Sequence, residues 1–178
     1  MNTLQLASGG TVPQLGLGTW RLTGDTCVNA VREALDMGYR HIDTAEMYGN
    51  HREVAAGIAA SGVDRSEIFL TTKVWSSNLR KNEVFESFDR DLAELNTDYV
   101  DLLLIHWPNS SVPLSETLGA FDELVEGGKV RNIGVSNFPS SLVEEAVDTA
   151  EQLIVTNQVE CHPFLNQSKL LNTCRRHQ

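Results

Sequence analysis

Residues 100–106 read Val-Asp-Leu-Leu-Leu-Ile-His, an almost wholly apolar run that ends on a histidine. A strand with one face in water alternates apolar and polar residues, whereas a strand buried on both faces is apolar throughout. This run therefore predicts a central strand of a parallel sheet that is covered by helices. The same reading places His106 at the carboxyl end of that strand.

Short strand-like runs alternate with longer amphipathic runs along the whole chain of 178 residues. The predicted strands are 14–18, 39–43, 68–74, 100–106, 130–135 and 154–160, and the predicted helices are 26–37, 52–61, 82–95, 115–126, 140–149 and 166–176. Asp25 is expected to cap the first helix, and Gly62 is expected to end the second. Residues 3–12, which contain two consecutive glycines, are expected to form a hairpin.

The alternation implies parallel βα units, and about six units of roughly 25–30 residues each fit the chain. A doubly wound open sheet would carry a glycine fingerprint after its first strand, but Arg21 stands where the third glycine belongs. Polar residues at successive strand ends favour a barrel instead, because barrel enzymes place their chemistry there. We therefore predict an α/β fold of the (βα)8 TIM-barrel type, incomplete, forming a single domain over residues 1–178 with the hairpin at its bottom.

Composition narrows the class of protein. The net charge of −10 argues against nucleic-acid and anionic-membrane partners, which need a basic surface. No apolar run approaches the roughly 20 residues that span a bilayer, and the amino terminus does not resemble a signal peptide. The three cysteines are widely spaced, which disfavours a disulfide framework or a zinc site. A cytoplasmic location is expected.

Lys73 is the most informative of the polar residues at strand ends. Burial of an ammonium at the end of an apolar strand is costly without a partner. Asp43, one strand away at the same height, is the expected partner, and Tyr48 follows it by one short loop. A phenol has a pKa of about 10, and an adjacent ammonium lowers that pKa because it stabilises the phenolate. This group of residues therefore predicts a general acid that works nearer neutral pH.

A phenol acid suits the reduction of a carbonyl group. The carbonyl oxygen becomes an alkoxide when hydride reaches the carbon, and it then needs a proton. His106 is expected to face the same mouth and to orient the substrate oxygen by a hydrogen bond. Because no side chain supplies hydride, a nicotinamide cofactor is implied.

Each of these residues also has a simpler interpretation when it is taken alone. Asp43 can cap a loop, Tyr48 can be a packing residue, and His106 can be a core histidine with satisfied hydrogen bonds. Four such residues at neighbouring strand ends favour catalysis as a set.

A metal-dependent hydrolase is the alternative from a different chemistry. His41 and Asp43 point to the same side of the sheet, because they lie two residues apart on one strand. Further ligands would come from His106, Glu160 and His162. This hypothesis gives no role to the predicted lysine and tyrosine.

With these residues in place, the chain resembles the aldo-keto reductase superfamily, in the style of its bacterial and archaeal 2,5-diketo-gluconate or methylglyoxal reductase branch. The resemblance covers nearly the whole chain and rests on these motifs: Gly-Leu-Gly-Thr-Trp at 16–20, Gly-Tyr-Arg-His-Ile-Asp-Thr-Ala at 38–45, Tyr-Gly-Asn at 48–50, Thr-Lys-Val-Trp at 72–75, Asp-Tyr-Val-Asp-Leu at 98–102, Leu-Ile-His-Trp-Pro at 104–108, Gly-Val-Ser-Asn-Phe at 134–138 and Asn-Gln-Val-Glu at 157–160. Each motif is short, but their order and spacing are specific.

The resemblance implies a role for each matching position. Tyr48 would donate the proton, Lys73 would lower its pKa, Asp43 would hold Lys73, and His106 would orient the carbonyl. The implied cofactor-binding residues are Gly18, Thr19, Trp20, Ser136, Asn137 and Gln158, of which the last three would bind the nicotinamide carboxamide. Trp75 and Trp107, together with His106, would contact the substrate. For Trp20, ordinary packing remains an open alternative.

Members of the family are longer and close an eight-stranded barrel. The resemblance implies that the seventh and eighth units, with the basic residues for the cofactor phosphates, lie outside these 178 residues. The expectation is thus part of a longer, monomeric, NADP(H)-dependent reductase of small carbonyl compounds. The alternative is a non-catalytic remnant or binding module that cannot hold the cofactor.

Overall fold

The computed structural model describes residues 2–177 and contains eight strands, six α-helices and two short 3-10 turns in that range. The strands are β1 (Thr3–Gln5), β2 (Thr11–Pro13), β3 (Leu17–Gly18), β4 (His41–Asp43), β5 (Phe69–Val74), β6 (Leu102–Ile105), β7 (Ile133–Ser136) and β8 (Ile154–Gln158). The helices are α1 (Gly24–Asp36), α2 (His51–Ser61), α3 (Lys81–Leu95), α4 (Leu114–Glu126), α5 (Ser140–Thr149) and α6 (Ser168–Arg176).

Strands β3 to β8 form one sheet in chain order, and every neighbouring pair is parallel. One helix follows each of these strands, so the chain contains the six predicted βα units. The predicted fold class, an incomplete (βα)8 barrel, is confirmed. No helix within residues 2–177 is long and apolar enough to cross a membrane.

Successive residues of a strand pack alternately into two separate apolar clusters. Leu103 and Ile105 join the large cluster that the sheet forms with the helices, whereas Leu102 and Leu104 pack with Phe69 in a smaller one. The hairpin β1–β2 supplies neighbouring Leu6 and Val12 to the smaller cluster. Because Phe69 and Leu102 begin their strands, the hairpin covers the amino ends of the sheet, as predicted.

Strand β6 is shorter than predicted, and side chains from other segments bond the backbone where its amino end was expected. The run from Val100 forms a regular strand only from Leu102, and Val100 itself makes an isolated bridge. Between them, the Asp101 carboxylate accepts the Leu70 amide at 3.0 Å, and the Asn132 side chain donates to the Asp101 carbonyl at 2.9 Å. The predicted strand boundary was therefore wrong at this end.

The predicted start of the first helix was also wrong. Helix α1 begins at Gly24, with Thr23 at its N-cap, so Asp25 lies inside the first turn and does not cap it. There its carboxylate still interacts favourably with the helix dipole. The predicted end of α2 is confirmed, since Gly62 caps it with the positive φ of 69° that glycine adopts without strain.

Candidate active site

The parallel strands bring the predicted polar residues to one rim. The residues that end β4, β7 and β8 are Asp43, Ser136 and Gln158, in that order. Lys73 is next to last in β5, and His106 directly follows β6. Since all these strands run in the same direction, their carboxyl ends face the same side, as the sequence predicted.

Lys73 is 1% exposed, and three oxygens surround its ammonium. Nζ donates to Asp43 Oδ1 at 2.5 Å, to the Thr44 carbonyl at 2.9 Å and to Tyr48 Oη at 3.4 Å. An ammonium has three protons to donate, so this set satisfies it. The pairing also offsets the cost of burying the charge. The predicted contact of the lysine with both Asp43 and Tyr48 is therefore present.

His106 lies beside the phenol as a neutral ring. Its ring centroid is 5.6 Å from that of Tyr48 and 5.1 Å from that of Trp75, in edge-on geometry. Burial first, and the Lys73 ammonium second, lower the pKa of His106 to about 4. Within residues 2–177, Nδ1 is buried without a hydrogen-bond partner. A buried orphan N–H is rarer than an orphan acceptor, so we assign the proton of the neutral ring to Nε2.

A pocket of about 570 Å³ opens above these residues. Eight of the predicted site residues line it: Trp20, Tyr48, Trp75, His106, Trp107, Ser136, Asn137 and Gln158. The tryptophans supply apolar walls, and the ring of Trp20 lies 4.9 Å from that of Tyr48. This volume and mixture of apolar walls with a few polar groups suit a small organic ligand. Met47 and Val159, which were not predicted, also line the pocket, as does Glu160, which the sequence analysis considered only as a metal ligand.

Asn137 connects the histidine to the two neighbouring predicted residues. Its side-chain amino group donates to the His106 carbonyl at 2.9 Å and to Ser136 Oγ at 3.0 Å. Its backbone N–H donates to the Gln158 carbonyl, which also accepts Ser136 Oγ. These bonds hold Asn137 at a φ of 62°, a left-handed conformation that asparagine tolerates better than most residues.

The acceptors at this end of the pocket fit the carboxamide of a nicotinamide. With their amino groups engaged by the protein, Asn137 Oδ1 and Gln158 Oε1 have no hydrogen-bond donor among residues 2–177. A carboxamide carries an amino group that can donate to such oxygens. Nearby in the first βα loop, Thr19 has a buried hydroxyl that lacks a partner in the described chain. The side chains present therefore suit the nicotinamide end of such a cofactor.

Glu46 supports the site and was missed by the sequence analysis. It begins the 3-10 turn Glu46–Tyr48, and its carboxylate accepts the Trp75 amide at 2.9 Å, Asn78 Nδ2 at 2.5 Å and Arg90 at 2.8 Å. The turn that carries Tyr48 is thereby attached to the loop that carries Trp75. A carboxylate two residues before the tyrosine was the available signal.

Asn50 is a second supporting residue; the sequence analysis included it in a motif but gave it no role. It is buried, and its amino group donates to the carbonyls of Thr19 and Leu22 at 2.9 Å each, while Oδ1 accepts the Thr44 hydroxyl at 3.0 Å. These bonds join the loop after β3 to the loop after β4, and so place Thr19 beside the turn of Tyr48.

The ligand set of the alternative hydrolase does not assemble. His41 bonds Thr71 at 3.1 Å and packs against Phe69 below the rim, whereas Glu160 pairs with His162 at 3.0 Å on the surface. In the part of the chain that the structure describes, no three His, Cys, Asp or Glu side chains are grouped to hold a metal ion. This arrangement contradicts the metal-site hypothesis.

Known proteins resemble this chain over most of its length. A model of the family described as "Aldo/keto reductase family" matches residues 14–178. Methylglyoxal reductase DkgB of Escherichia coli O157:H7 is 43% identical over 169 residues, which cover 93% of this chain and 63% of that protein.

Two solved structures illustrate the same similarity. An aldo/keto reductase from Brucella melitensis has a TM-score of 0.94 and 44% identity, over 99% of this chain and 68% of that one. A Bombyx mori aldo-keto reductase in complex with NADP has a TM-score of 0.90 and 34% identity, over 98% and 63% of the two chains. The chain thus spans less than two thirds of the curated relative. It belongs to the aldo/keto reductase family.

Proposed function

We propose that this chain carries the carbonyl-reducing site of an NADP(H)-dependent oxidoreductase that converts small aldehydes or ketones to alcohols. The observation that carries the proposal is the buried Lys73 ammonium, which contacts both Asp43 and the Tyr48 hydroxyl beneath a tryptophan-lined pocket. A structural ion pair needs no phenol beside it and no pocket above it.

The proposed reaction divides the work among four catalytic side chains. The Nε2–H of neutral His106 donates to the substrate carbonyl oxygen and orients it. A nicotinamide cofactor held by the Ser136, Asn137 and Gln158 side chains would provide the hydride for the carbonyl carbon. The Tyr48 hydroxyl transfers its proton to the developing alkoxide, and the phenolate that remains is stabilised by the Lys73 ammonium, which Asp43 holds in place.

The remaining predicted residues would hold the two ligands. For the cofactor we propose Gly18, Thr19, Trp20, Ser136, Asn137 and Gln158, and for the substrate Trp75, Trp107 and His106. The choice of NADP(H) is supported by the NADP bound in the Bombyx mori relative. The net charge of −10 supports a protein without nucleic-acid or anionic-membrane partners. We also propose a cytoplasmic location and a monomeric state for the longer protein.

The test combines fluorescence titration with NADPH and turnover on a small dicarbonyl such as methylglyoxal. We expect binding in the micromolar range, and we expect Tyr48→Phe to reduce turnover by about 100-fold or more. NADPH affinity should change little in this variant, because Tyr48 is not among the proposed cofactor residues. Tyr39→Phe, the same change outside the pocket, is the matched control. Near-normal turnover by Tyr48→Phe would remove Tyr48 from its proposed role.

A second candidate is a binding module that retains these residues but does not hold the cofactor. It is favoured by the sheet topology, in which β3 and β8 each have one hydrogen-bonded neighbour among the described strands. A folded sample of this chain that fails to bind NADPH would select the module and exclude catalysis by these 178 residues alone.

A further inference from the structure

The Asp43 carboxylate is shared between two partners from different strands. Lys73 donates to Oδ1 at 2.5 Å, and Gln158 Nε2 donates to Oδ2 at 2.7 Å. Gln158 lies 115 positions along the chain, at the end of β8, so the bond runs across the mouth of the sheet from β8 to β4. Each oxygen of the carboxylate therefore has one defined donor.

This bond decides which end of the Gln158 side chain meets a ligand. An ionised carboxylate accepts hydrogen bonds and donates none, so the amino end of the glutamine must face Asp43. The carbonyl end, Oε1, is then the end left for the pocket. The backbone carbonyl of Gln158 is fixed as well, since Ser136 Oγ and the Asn137 N–H both donate to it.

Asn137 is oriented in the same sense by different partners. Its amino group donates to the His106 carbonyl and to Ser136 Oγ, which leaves Oδ1 as its free end. Two side chains that could each present a donor or an acceptor thus both present an acceptor. The hydrogen bonds that orient the two side chains are made within the protein, so they form without a ligand.

We propose that Asp43, beyond pairing with Lys73, is a positioning residue that sets the orientation of Gln158, so that the subsite selects a ring bearing a carboxamide over one bearing a carboxylate. The inference rests on the proposed function, because it concerns the same pocket. The amino group of a carboxamide can donate hydrogen bonds to Asn137 Oδ1 and Gln158 Oε1. A carboxylate has no proton to donate, and its negative oxygens are repelled by these two acceptor oxygens. Loss of two hydrogen bonds corresponds to at least about a tenfold difference in affinity.

The first experiment measures that selection with nicotinamide mononucleotide and nicotinic acid mononucleotide, which differ only in the amide and carry no adenine half. Binding to the chain is followed by NMR at the Gln158 side-chain amide, identified as the signal that Gln158→Leu removes. We expect the amide probe to shift this signal and to bind at least about tenfold more tightly than the acid probe. Equal affinity for the two probes would overturn the proposal.

The second experiment needs no ligand. In the wild type, the Gln158 side-chain amide protons should be downfield of, and exchange more slowly than, those of exposed Gln14, because one of them is bonded to a carboxylate. Asp43→Asn should abolish this signature, and Asp36→Asn, the same change at an exposed position, should preserve it. A wild-type Gln158 signal that matches Gln14 would overturn the proposal even if Asp43→Asn does not fold.

The two experiments separate this proposal from the proposed function. If neither the mononucleotide nor NADPH binds while the Gln158 signature is intact, the orientation by Asp43 stands and cofactor use by this chain is contradicted. If NADPH binds while the Gln158 signature is missing, cofactor use by this chain is supported and the orientation of Gln158 by Asp43 is contradicted.

Discussion

The neutral state of His106 makes a quantitative prediction about stability and pH. The side chain is 8% exposed, and burial together with the Lys73 charge lowers its pKa from 6.5 to about 4. Between these values the unfolded chain binds a proton that the folded chain excludes, so this contribution to stability is lost as the pH falls. The difference between the two pKa values corresponds to about 3 kcal/mol in total. About 2 kcal/mol of it should be lost between about pH 7 and about pH 5.

The assay is urea unfolding of the wild type and of His106→Asn across that pH range. Both proteins lose stability through their other titrating groups, so the informative quantity is the difference between them. The wild type should lose about 2 kcal/mol more than the variant, which lacks the imidazole. His177→Asn, the same substitution at an exposed histidine, controls for the general effect. Parallel curves for the wild type and His106→Asn would refute the argument that burial holds His106 neutral.

Three further predictions follow from buried charges and their supports. Lys73→Met leaves the largely buried Asp43 carboxylate without its ammonium and should lower the free energy of unfolding by about 3 kcal/mol, measured by urea titration; a loss below about 1 kcal/mol would contradict the pairing. Asp91 is buried in α3 beside His51, and burial raises the pKa of its carboxyl above 3.8, so its contribution to stability is present in acid and falls as the pH rises. Relative to the wild type, Asp91→Asn should therefore become more stable as the pH rises above about 4 in urea titrations, and a constant difference would contradict this. Glu46→Ala leaves the Trp75 amide and Asn78 without their acceptor, so it should lower the free energy of unfolding by about 1–3 kcal/mol and change the tryptophan fluorescence emission. An unchanged emission spectrum would contradict the support that Glu46 gives to Trp75.

The parts of the fold that the sequence predicted are those that depend on periodicity. The apolar run ending at His106 predicted a buried parallel strand, and the alternation of runs predicted six βα units. The amino end of β6 was harder to predict, because Asp101 and Asn132 bond there through contacts that a local pattern does not contain. The predicted cap at Asp25 was also wrong, because the helix begins earlier along the chain, with Thr23 at its N-cap.

The site divides in the same way. The role of Lys73 could be predicted, because a lysine in an apolar strand is costly to bury without a partner. The expected partners, Asp43 and Tyr48, are in contact with it. Glu46 and Asn50 were not visible, because polar residues in a short loop normally face water. Their burial results from packing between loops that follow different strands, so no single stretch of sequence records it.

The hydrogen bond between Gln158 and Asp43 also indicates how strongly the sheet is curved. Strands β4 and β8 are separated by four intervals in the sheet order, which in a flat sheet corresponds to about 19 Å at about 4.8 Å per interval. A glutamine and an aspartate side chain cannot bridge that gap, yet their polar atoms lie 2.7 Å apart. Six strands therefore already have the curvature of a barrel. That curvature places the amide-lined end of the pocket against the Asp43–Lys73–Tyr48 set, so that a ligand held at one end is presented to the proposed proton donor at the other.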